Sequence, residues 1–429
     1  MSAVTETKDQ INAPEETGST IAPGVSAKFV ITYAVMTVLA ALMALGSHGN
    51  TQFRLDSSND FFAIPVIDIP AGPTNWVMVL LLLAVTGLAF KLRADGHSSP
   101  AWLHVIAGLL FVTAFLTWAG AGRDNTVIPL VTILAGALSL SVPLIFGAMA
   151  GLVGERSGTI NIAIEGQLLF GAFLGAVVAS LAQNAWVGII AAPVAGMFVS
   201  ALLVLFGLKY RVDQIVVGVV LNVLVLGLTN FFYSTVLTDS DSLNTGESLP
   251  IIAVPVLSQI PVIGPVLFRQ TVLVYIMYVV VIVLQYMLFR SRWGLRMRAC
   301  GEYPKAADTV GINVVRTRVN NALLGGALAG LGGAFYTIGS SQAFSKDMAG
   351  GNGYIALAAM ILGAWNPLGG VAAALLFGFA MNTGYTLSII GSPMPSQIVL
   401  MIPYIVTILA ISGFVGKVRA PAAEGVPYP

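Results

Sequence analysis

Apolar stretches separated by short polar segments recur along almost the whole chain. A helix that crosses a bilayer needs about 20 mostly apolar residues, and most of these stretches are long enough. The pattern predicts an all-α polytopic membrane protein with about ten, and at most twelve, transmembrane helices. The run at 353–364 is short and predicts a half-helix that either crosses or re-enters the membrane. The apolar runs lie at 29–46, 76–90, 101–120, 127–150, 161–182, 187–208, 214–237, 271–289, 319–338, 353–364, 367–386 and 397–415.

Composition supports the membrane assignment and removes several other classes. Of the residues, 57% are hydrophobic and 9% are charged, whereas a soluble domain carries roughly 25% charged residues. The single cysteine, Cys300, excludes an internal disulfide, and three scattered histidines predict no metal site. A net charge of +1 gives no reason to expect nucleic acid as a partner. The polar residues 1–27 predict a disordered tail. The first apolar stretch begins after Lys28, too far in and too long for a signal peptide, and predicts a retained helix.

The distribution of basic residues predicts the orientation of the spans. With the N-terminus inside, sixteen of the 20 Lys and Arg residues fall in inner segments, and only Arg54, Arg123, Arg269 and Lys346 fall outside. This asymmetry is the one that membrane insertion favours. Both termini are therefore expected in the cytoplasm, with the long loops 47–75 and 238–270 outside.

The inner loop at 290–318 carries more than the charge that topology requires. Pro304 can open a helix, because its missing N–H would be unpaired in the first turn anyway. Gly311 follows a short segment rich in small residues and is typical of the position just after a helix end. The loop predicts a short capped helix that docks into a groove of another protein, although its arginines are also explained by topology alone.

Three stretches of this chain together resemble a known family. They are Gly154–Gly166 (GERSGTINIAIEG), Gly301–Ile312 (GEYPKAADTVGI) and Gly353–Gly369 (GYIALAAMILGAWNPLG). The second resembles the coupling helix of ABC-transporter permease subunits, with its Ala-Ala-x-x-x-Gly pattern. The combination resembles permeases that import simple sugars, branched-chain amino acids and nucleosides, and the nucleoside or simple-sugar permeases most. The likeness covers about 130–415.

The resemblance implies a type II-like importer permease in the cell (inner) membrane, not an enzyme, and without a cofactor. It implies ABC ATPase subunits in the cytoplasm, a second homologous permease chain and an extracytoplasmic binding protein or lipoprotein. A sister permease is favoured over a second copy of this chain. The expected organisation is a tail at 1–27, N-terminal helices at 28–126, a permease core at 127–415 and a tail at 416–429. The residues expected to couple to the ATPase are Glu302, Pro304, Ala306, Ala307 and Gly311.

Polar side chains inside apolar segments are candidates for the translocation path. A charge at the bilayer centre costs about 2.5–3.5 kcal/mol on the insertion scale, so Glu165 needs a partner or a cavity. Asn161 lies four residues earlier, on the same face if the helix is continuous. Gly158 and Gly166 flank the pair, as in a broken helix that lines a pathway. Helix–helix hydrogen bonding is the alternative. Asn222 and Asn320 are further path candidates.

Small residues follow the coupling loop directly. Gly326 and Gly330 have the Gly-x-x-x-Gly spacing that allows two membrane helices to approach closely. We hypothesise that this helix slides when a docked ATPase closes.

Two function classes are compatible with the sequence. The chain has no Gly-x-x-x-x-Gly-Lys-Ser/Thr loop, so in an ATP-driven importer the hydrolysis belongs to a partner. The alternative is an ion-coupled secondary transporter of small polar solutes, for which Glu165 is the strongest relay candidate. A membrane-embedded enzyme has little support, because no paired carboxylates or clustered histidines are evident.

Overall fold

Ten helices in the described part of the chain are long and apolar enough to cross a membrane. The computed structural model describes residues 27–56, 60–97, 99–122, 127–340, 343–389, 396–401, 404 and 420–428. The predicted tail at 1–27, apart from residue 27, lies outside the described residues, as do 402–403 and 405–415 of the predicted span at 397–415 and 416–419 and 429 of the second tail. The helices are α1 Lys28–Leu45, α2 Ala71–Ala94, α3 Ala101–Gly120, α4 Leu130–Arg156, α5 Ile164–Ala182, α6 Ala185–Val204, α7 Gln214–Phe232, α8 Ile263–Leu267, α9 Val272–Arg290, α10 Arg292–Glu302, α11 Pro304–Thr309, α12 Val314–Ala334, α13 Asn352–Leu362, α14 Pro367–Ile389 and α15 Ser396–Leu400.

Three of the spans are extended by one π-helical turn each. These turns are Leu205–Lys209 after α6, Tyr233–Leu237 after α7 and Phe335–Gly339 after α12. The all-α fold is thus confirmed. Eleven of the predicted apolar runs coincide with helices, and the half-helix predicted at 353–364 is α13.

Short strands occur in the two long loops predicted to lie outside and directly before α4. The strands are β1 Asn50–Arg54, β2 Ile67–Pro70, β3 Val127–Pro129, β4 Ile251–Ala253 and β5 Arg269–Thr271. The first sheet has the order β2-β1-β3, with β1 antiparallel to β2 and parallel to β3. The second pairs β4 with β5 in antiparallel fashion. Both sheets supply hydrogen-bond partners to main-chain groups in segments that are not helical.

The chain divides into two compact units. One comprises the described part of Met1–Gly46 together with Pro73–Phe115, and the other comprises Ser47–Gly72 and Leu116–Pro429. In the first unit, α1, α2 and α3 bury small and aliphatic side chains such as Ala40, Leu82 and Leu103. The Phe29 ring meets the His104 ring edge to face at 4.3 Å. His104 is therefore a packing residue.

The second unit is built around α4 and α12, which pack against α5, α6 and α14. Close backbone approach depends on glycine here. A Cβ atom added at Gly330 would lie 2.8 Å from the carbonyl carbon of Ala192 and 3.1 Å from Cα of Pro193 in α6. One added at Gly326 would lie 2.8 Å from Cβ of Ser200. The Gly-x-x-x-Gly prediction of close helix packing is confirmed.

The sequence leaves open whether the short run at 353–364 crosses the membrane or re-enters it. The path of the chain near α13 favours a crossing. α12 starts at the 290–318 loop, and at its far end the carbonyl of Ile338 accepts a hydrogen bond from Leu249 N at 2.9 Å. α13 then ends beside Arg156, which lies at the loop side. Residues 343–362 thus bring the chain back to the side of the loop. From there α14 runs antiparallel to α4, with Asn382 Nδ2 bonded to Ile133 O at 2.8 Å.

Candidate functional site

The first feature of the site is a break between α4 and α5. α4 ends at Arg156, and Gly158 adopts φ +91°. The N–H of Gly158 donates to Glu155 O at 2.8 Å and that of Thr159 to Gly154 O at 3.1 Å, the bond pair that ends many helices. A side chain at 158 would also collide with the Arg318 guanidinium. The predicted broken helix is therefore present.

The second break surrounds the short helix α13. Gly350 and Gly351, with φ of +54° and +84°, precede its first residue. After Leu362 the chain turns through Ala364 and Trp365, both at positive φ. At 11 residues α13 is about 16 Å long, too short to cross a bilayer alone.

The residues of the first break bind both ends of α13. At its N-terminus, the Glu165 carboxylate accepts hydrogen bonds from Gly351 N at 2.7 Å and Gly353 N at 2.6 Å. At its C-terminus, Arg156 Nε and Nη2 donate to Trp365 O at 3.0 and 2.9 Å. An anion at the N-terminus and a cation at the C-terminus both stabilise the helix dipole.

An amide network fixes the turn between α4 and α5. Asn161 and Gln167 exchange two side-chain hydrogen bonds, at 3.0 and 3.1 Å, and Gln167 Nε2 also donates to Ser200 Oγ at 2.9 Å. Asn161 lies in the turn before α5, so the expectation that it shares a helix face with Glu165 is wrong. The expectation required a helix that includes Asn161, but after the break at Gly158 the helix resumes only at Ile164.

Asn222 connects α7 to the same turn. Its Oδ1 accepts from Gly166 N at 2.8 Å, and its Nδ2 donates to Ile162 O at 2.9 Å and to Tyr354 Oη at 3.1 Å. Asn161, Glu165 and Asn222 thus surround one break, and protein groups bind their polar atoms.

Asn320 lies elsewhere, in a cavity of ≈ 490 Å³ on the side of the 290–318 loop. The cavity is rich in donors, because Arg296 and Arg316 line it together with the buried Asn321, whose Nδ2 has no hydrogen-bond partner. The other lining residues are Trp293, Gly311, Ile312, Asn313 and Thr317.

The short helix predicted in the loop is α11, and its predicted ends are confirmed. Pro304 occupies its first turn, and Gly311 follows it with φ +83°. Gly311 N donates to Asp308 O at 2.9 Å and Ile312 N to Ala307 O at 3.0 Å, again the helix-ending bond pair. Ala306 is exposed, whereas Ala307 is buried against Cys300 and Val314. Burial raises the pKa of the Cys300 thiol.

The loop contacts the end of α4 directly. A Cβ atom added at Gly301 would lie 3.0 Å from the carbonyl carbon of Arg156. Glu302 is exposed, and its carboxylate accepts from Ala422 N at 3.3 Å. The loop that carries the predicted coupling residues therefore lies next to the break between α4 and α5, where predicted path residues lie.

Two functional candidates were not evident from the sequence. One is Arg318, whose place in a basic inner loop predicts an exposed topology charge but which is 1% exposed. The other is the segment 420–428, which lies against the loop. In the described residues, no group of three His, Cys, Asp or Glu side chains could hold a metal ion.

Comparison with known proteins agrees with this architecture. The family model described as "Branched-chain amino acid transport system / permease component" matches residues 133–411. The chain is 37% identical to the guanosine ABC transporter permease protein NupQ of Bacillus subtilis, over 69% of this chain and 96% of that protein. It is 39% identical to the nucleoside ABC transporter permease protein NupC of Lactococcus lactis subsp. cremoris, over 71% and 98%. It is also 31% identical to the putative glucose ABC transporter permease protein TsgC13 of Haloferax volcanii, over 65% and 91%. No solved structure matches.

Proposed function

Because this chain belongs to the family of branched-chain amino acid transport permease components, we propose that it forms the membrane path for nucleosides in an ATP-driven importer. Its role as an ABC permease subunit follows from the family and from relatives that it covers almost completely. The same relatives favour ATP as the energy source over an ion gradient.

One observation carries the mechanism: the loop helix α10, which leads directly into α11, lies next to the break that holds α13. Gly301 packs on the end of α4, and Arg156 at that end binds Trp365 after α13. A displacement of α11 by a closing ATPase would therefore reach both breaks through α10, which lies between α11 and the end of α4. The expected coupling residues Glu302, Pro304, Ala306, Ala307 and Gly311 keep this role as a proposal.

The path itself is proposed to run along the breaks. Asn161, Glu165 and Asn222 shape this region, and Asn320 lines the cavity at the loop side. Amides both donate and accept hydrogen bonds, which suits a neutral ligand with hydroxyl and ring-nitrogen groups. Nucleosides are favoured over glucose because NupQ and NupC are more similar to this chain than TsgC13 is.

The proposed assembly has two permease chains, two ATPase subunits and a binding protein outside, with a sister permease as the second chain. The 290–318 loop then faces the cytoplasm. The segment 420–428 contacts that loop and lies on the same side. The proposed organisation keeps a permease core at 127–415.

Reconstitution tests the proposal. The chain is purified with co-expressed ATPase and sister permease, placed in liposomes and supplied with the binding protein. We expect uptake of radiolabelled guanosine or uridine that requires ATP and that excess unlabelled nucleoside, but not ribose or glucose, suppresses. Uptake driven by a proton or sodium gradient without ATP would overturn the ATP-driven function, and suppression by glucose alone would overturn the substrate class.

A further inference from the structure

The segment Ala420–Tyr428, here called the strap, binds the loop and the α4–α5 break simultaneously. On the loop side, Ala423 N donates to Gly301 O at 2.8 Å. On the break side, Gly425 N donates to Gly158 O at 3.2 Å. The strap therefore connects the two regions through main-chain hydrogen bonds, independently of the direct contact between α10 and α4.

A second contact joins the strap to α11 itself. Tyr428 Oη donates to the Asp308 carboxylate at 2.9 Å, and the Tyr428 ring packs beside Ala307 and Cys300. Asp308 is a residue of the short helix, so a movement of α11 acts directly on the strap.

The buried Arg318 side chain holds the strap through hydrogen bonds. This guanidinium is 1% exposed, and its hydrogen bonds go to four main-chain carbonyls. Two belong to the strap, Val426 O at 2.7 Å and Ala423 O at 3.2 Å. The other two belong to the break and to α10, Ser157 O at 3.2 Å and Cys300 O at 3.5 Å. Removing the strap would leave a buried charge without half of its acceptors, which is strongly unfavourable.

The strap also fits a shaped surface. Gly425 has φ +69°, and a Cβ atom there would lie 2.6 Å from Cδ1 of Ile160 in the α4–α5 turn. Any larger residue at 425 would be strained in its backbone, and either the strap or the Ile160 side chain would have to shift.

We propose that the strap and Arg318 are positioning elements that make α11 and the α4–α5 break move as one body during the ATP cycle. The inference rests on the proposed coupling role of α11. If the connection between α11 and the α4–α5 break were flexible, ATP hydrolysis could proceed without moving the break. The four-way bonding of Arg318 opposes that slippage, because the break, α10 and the strap share its donors.

The test uses the complete complex of this chain with its ATPase and sister permease in liposomes. Gly425→Val displaces the strap, and a second variant ends the chain after residue 419. Gly87→Val is the matched control, since a Cβ atom at Gly87 has no heavy atom within 4 Å. The readout is the number of nucleosides imported per ATP hydrolysed, which a loss of protein abundance does not change.

We expect both strap variants to assemble and hydrolyse ATP, with import per ATP reduced about tenfold, within the usual range of coupling between sites. Gly87→Val should match the parent. Arg318→Lys should give an intermediate ratio, because one ammonium cannot reach four carbonyls. Unchanged ratios in both strap variants would overturn the proposal, and so would failure of both to accumulate in the membrane, which would assign the strap to folding alone.

A further variant separates this proposal from the function it rests on. Ala306→Trp places a bulky group on the exposed face of α11. If it abolishes coupled import while the strap variants do not, only the strap proposal fails. If Ala306→Trp leaves assembly and coupled import intact, the coupling role of α11 fails instead.

Discussion

The carboxylate of Glu165 lies at the N-terminus of α13, where Gly353 N donates to it at 2.6 Å. The pair joins the first turn of α5 to a half-helix almost two hundred residues away in sequence. Because the first N–H groups of a helix have no partner within it, this carboxylate satisfies donors that would otherwise be unpaired in an apolar region. Glu165 is thus placed to hold α13 rather than to relay a proton.

Glu165→Gln should weaken this contact without changing the side-chain size. The amide keeps one acceptor oxygen, but its NH₂ group faces the second backbone N–H, and the charge that favours a helix N-terminus is lost. We expect a loss of about 1.5–3 kcal/mol in the free energy of unfolding, the usual contribution of a hydrogen bond to a charged group. Thermal unfolding in detergent measures it.

Nucleoside import by the Glu165→Gln complex should fall in parallel, because α13 borders the proposed path. The control is Asp239→Asn, which removes a charge from an exposed loop position. If Glu165→Gln unfolds and imports like the parent, the hydrogen bonds to Gly351 and Gly353 do not hold α13.

Gly311→Val should weaken ATPase docking with little effect on the membrane core. Gly311 has φ +83° and open space around it, so the cost comes from the backbone alone. A left-handed conformation costs a residue with a Cβ about 1–2 kcal/mol, and the bonds that end α11 would loosen. The measurement is the affinity of purified ATPase for the permease in nanodiscs. Gly108→Val, at another open glycine, should bind ATPase normally; equal affinities for the two variants would contradict the prediction.

The features that could be predicted from the sequence are those set by local chemistry. Pro304 and Gly311 define α11 because a missing N–H and a positive φ act within one turn. Apolar run length likewise located the spans, since it depends only on the bilayer thickness.

The features that could not be predicted depend on distant partners. Arg318 looks like one of seven basic residues in a loop, yet it is buried because Val426, 108 positions later, supplies a carbonyl. The four-residue spacing of Asn161 and Glu165 suggested one helix face, but α5 begins only at Ile164, so Asn161 lies in the turn before it. Glu165 binds Gly351, a partner that the sequence does not place nearby.

Gly330→Ala should destabilise the core, because the added methyl group meets the backbone of α6 at Ala192 and Pro193. Overpacking of this kind costs about 1–3 kcal/mol. Thermal unfolding in detergent should show it, whereas Gly227→Ala, with no heavy atom near the added Cβ, should be neutral or slightly stabilising.

The sliding hypothesis for α12 makes a separate prediction for Gly330→Leu. If α12 slides against α6, this variant should abolish ATP-coupled import even where the complex still assembles. Intact coupled import would leave Gly330 as a packing residue only.

Docking of the strap should weaken as pH rises, and Glu424 is the reason. Burial raises the pKa of Glu424 above its ordinary value of 4.5, and a hydrogen bond with the Glu155 side chain partly opposes the shift. Two carboxyl groups share a hydrogen bond only when one of them carries a proton. The docked strap therefore holds a proton that the released strap gives up more easily. The contribution of this proton to docking is complete below pH 4.5 and is lost as pH rises through the raised pKa.

Hydrogen exchange of the strap amides, corrected for the intrinsic pH dependence of exchange, measures this effect. Ala423 N and Gly425 N, which donate to the loop and to the break, should be protected at pH 5 and less protected at pH 8. Glu424→Gln donates to Glu155 at any pH, so its protection should stay constant and exceed that of the parent at pH 8. Greater protection of the parent at pH 8 than at pH 5 would show that the pair docks as carboxylates, because only an ionised Glu424 gains stability in that direction.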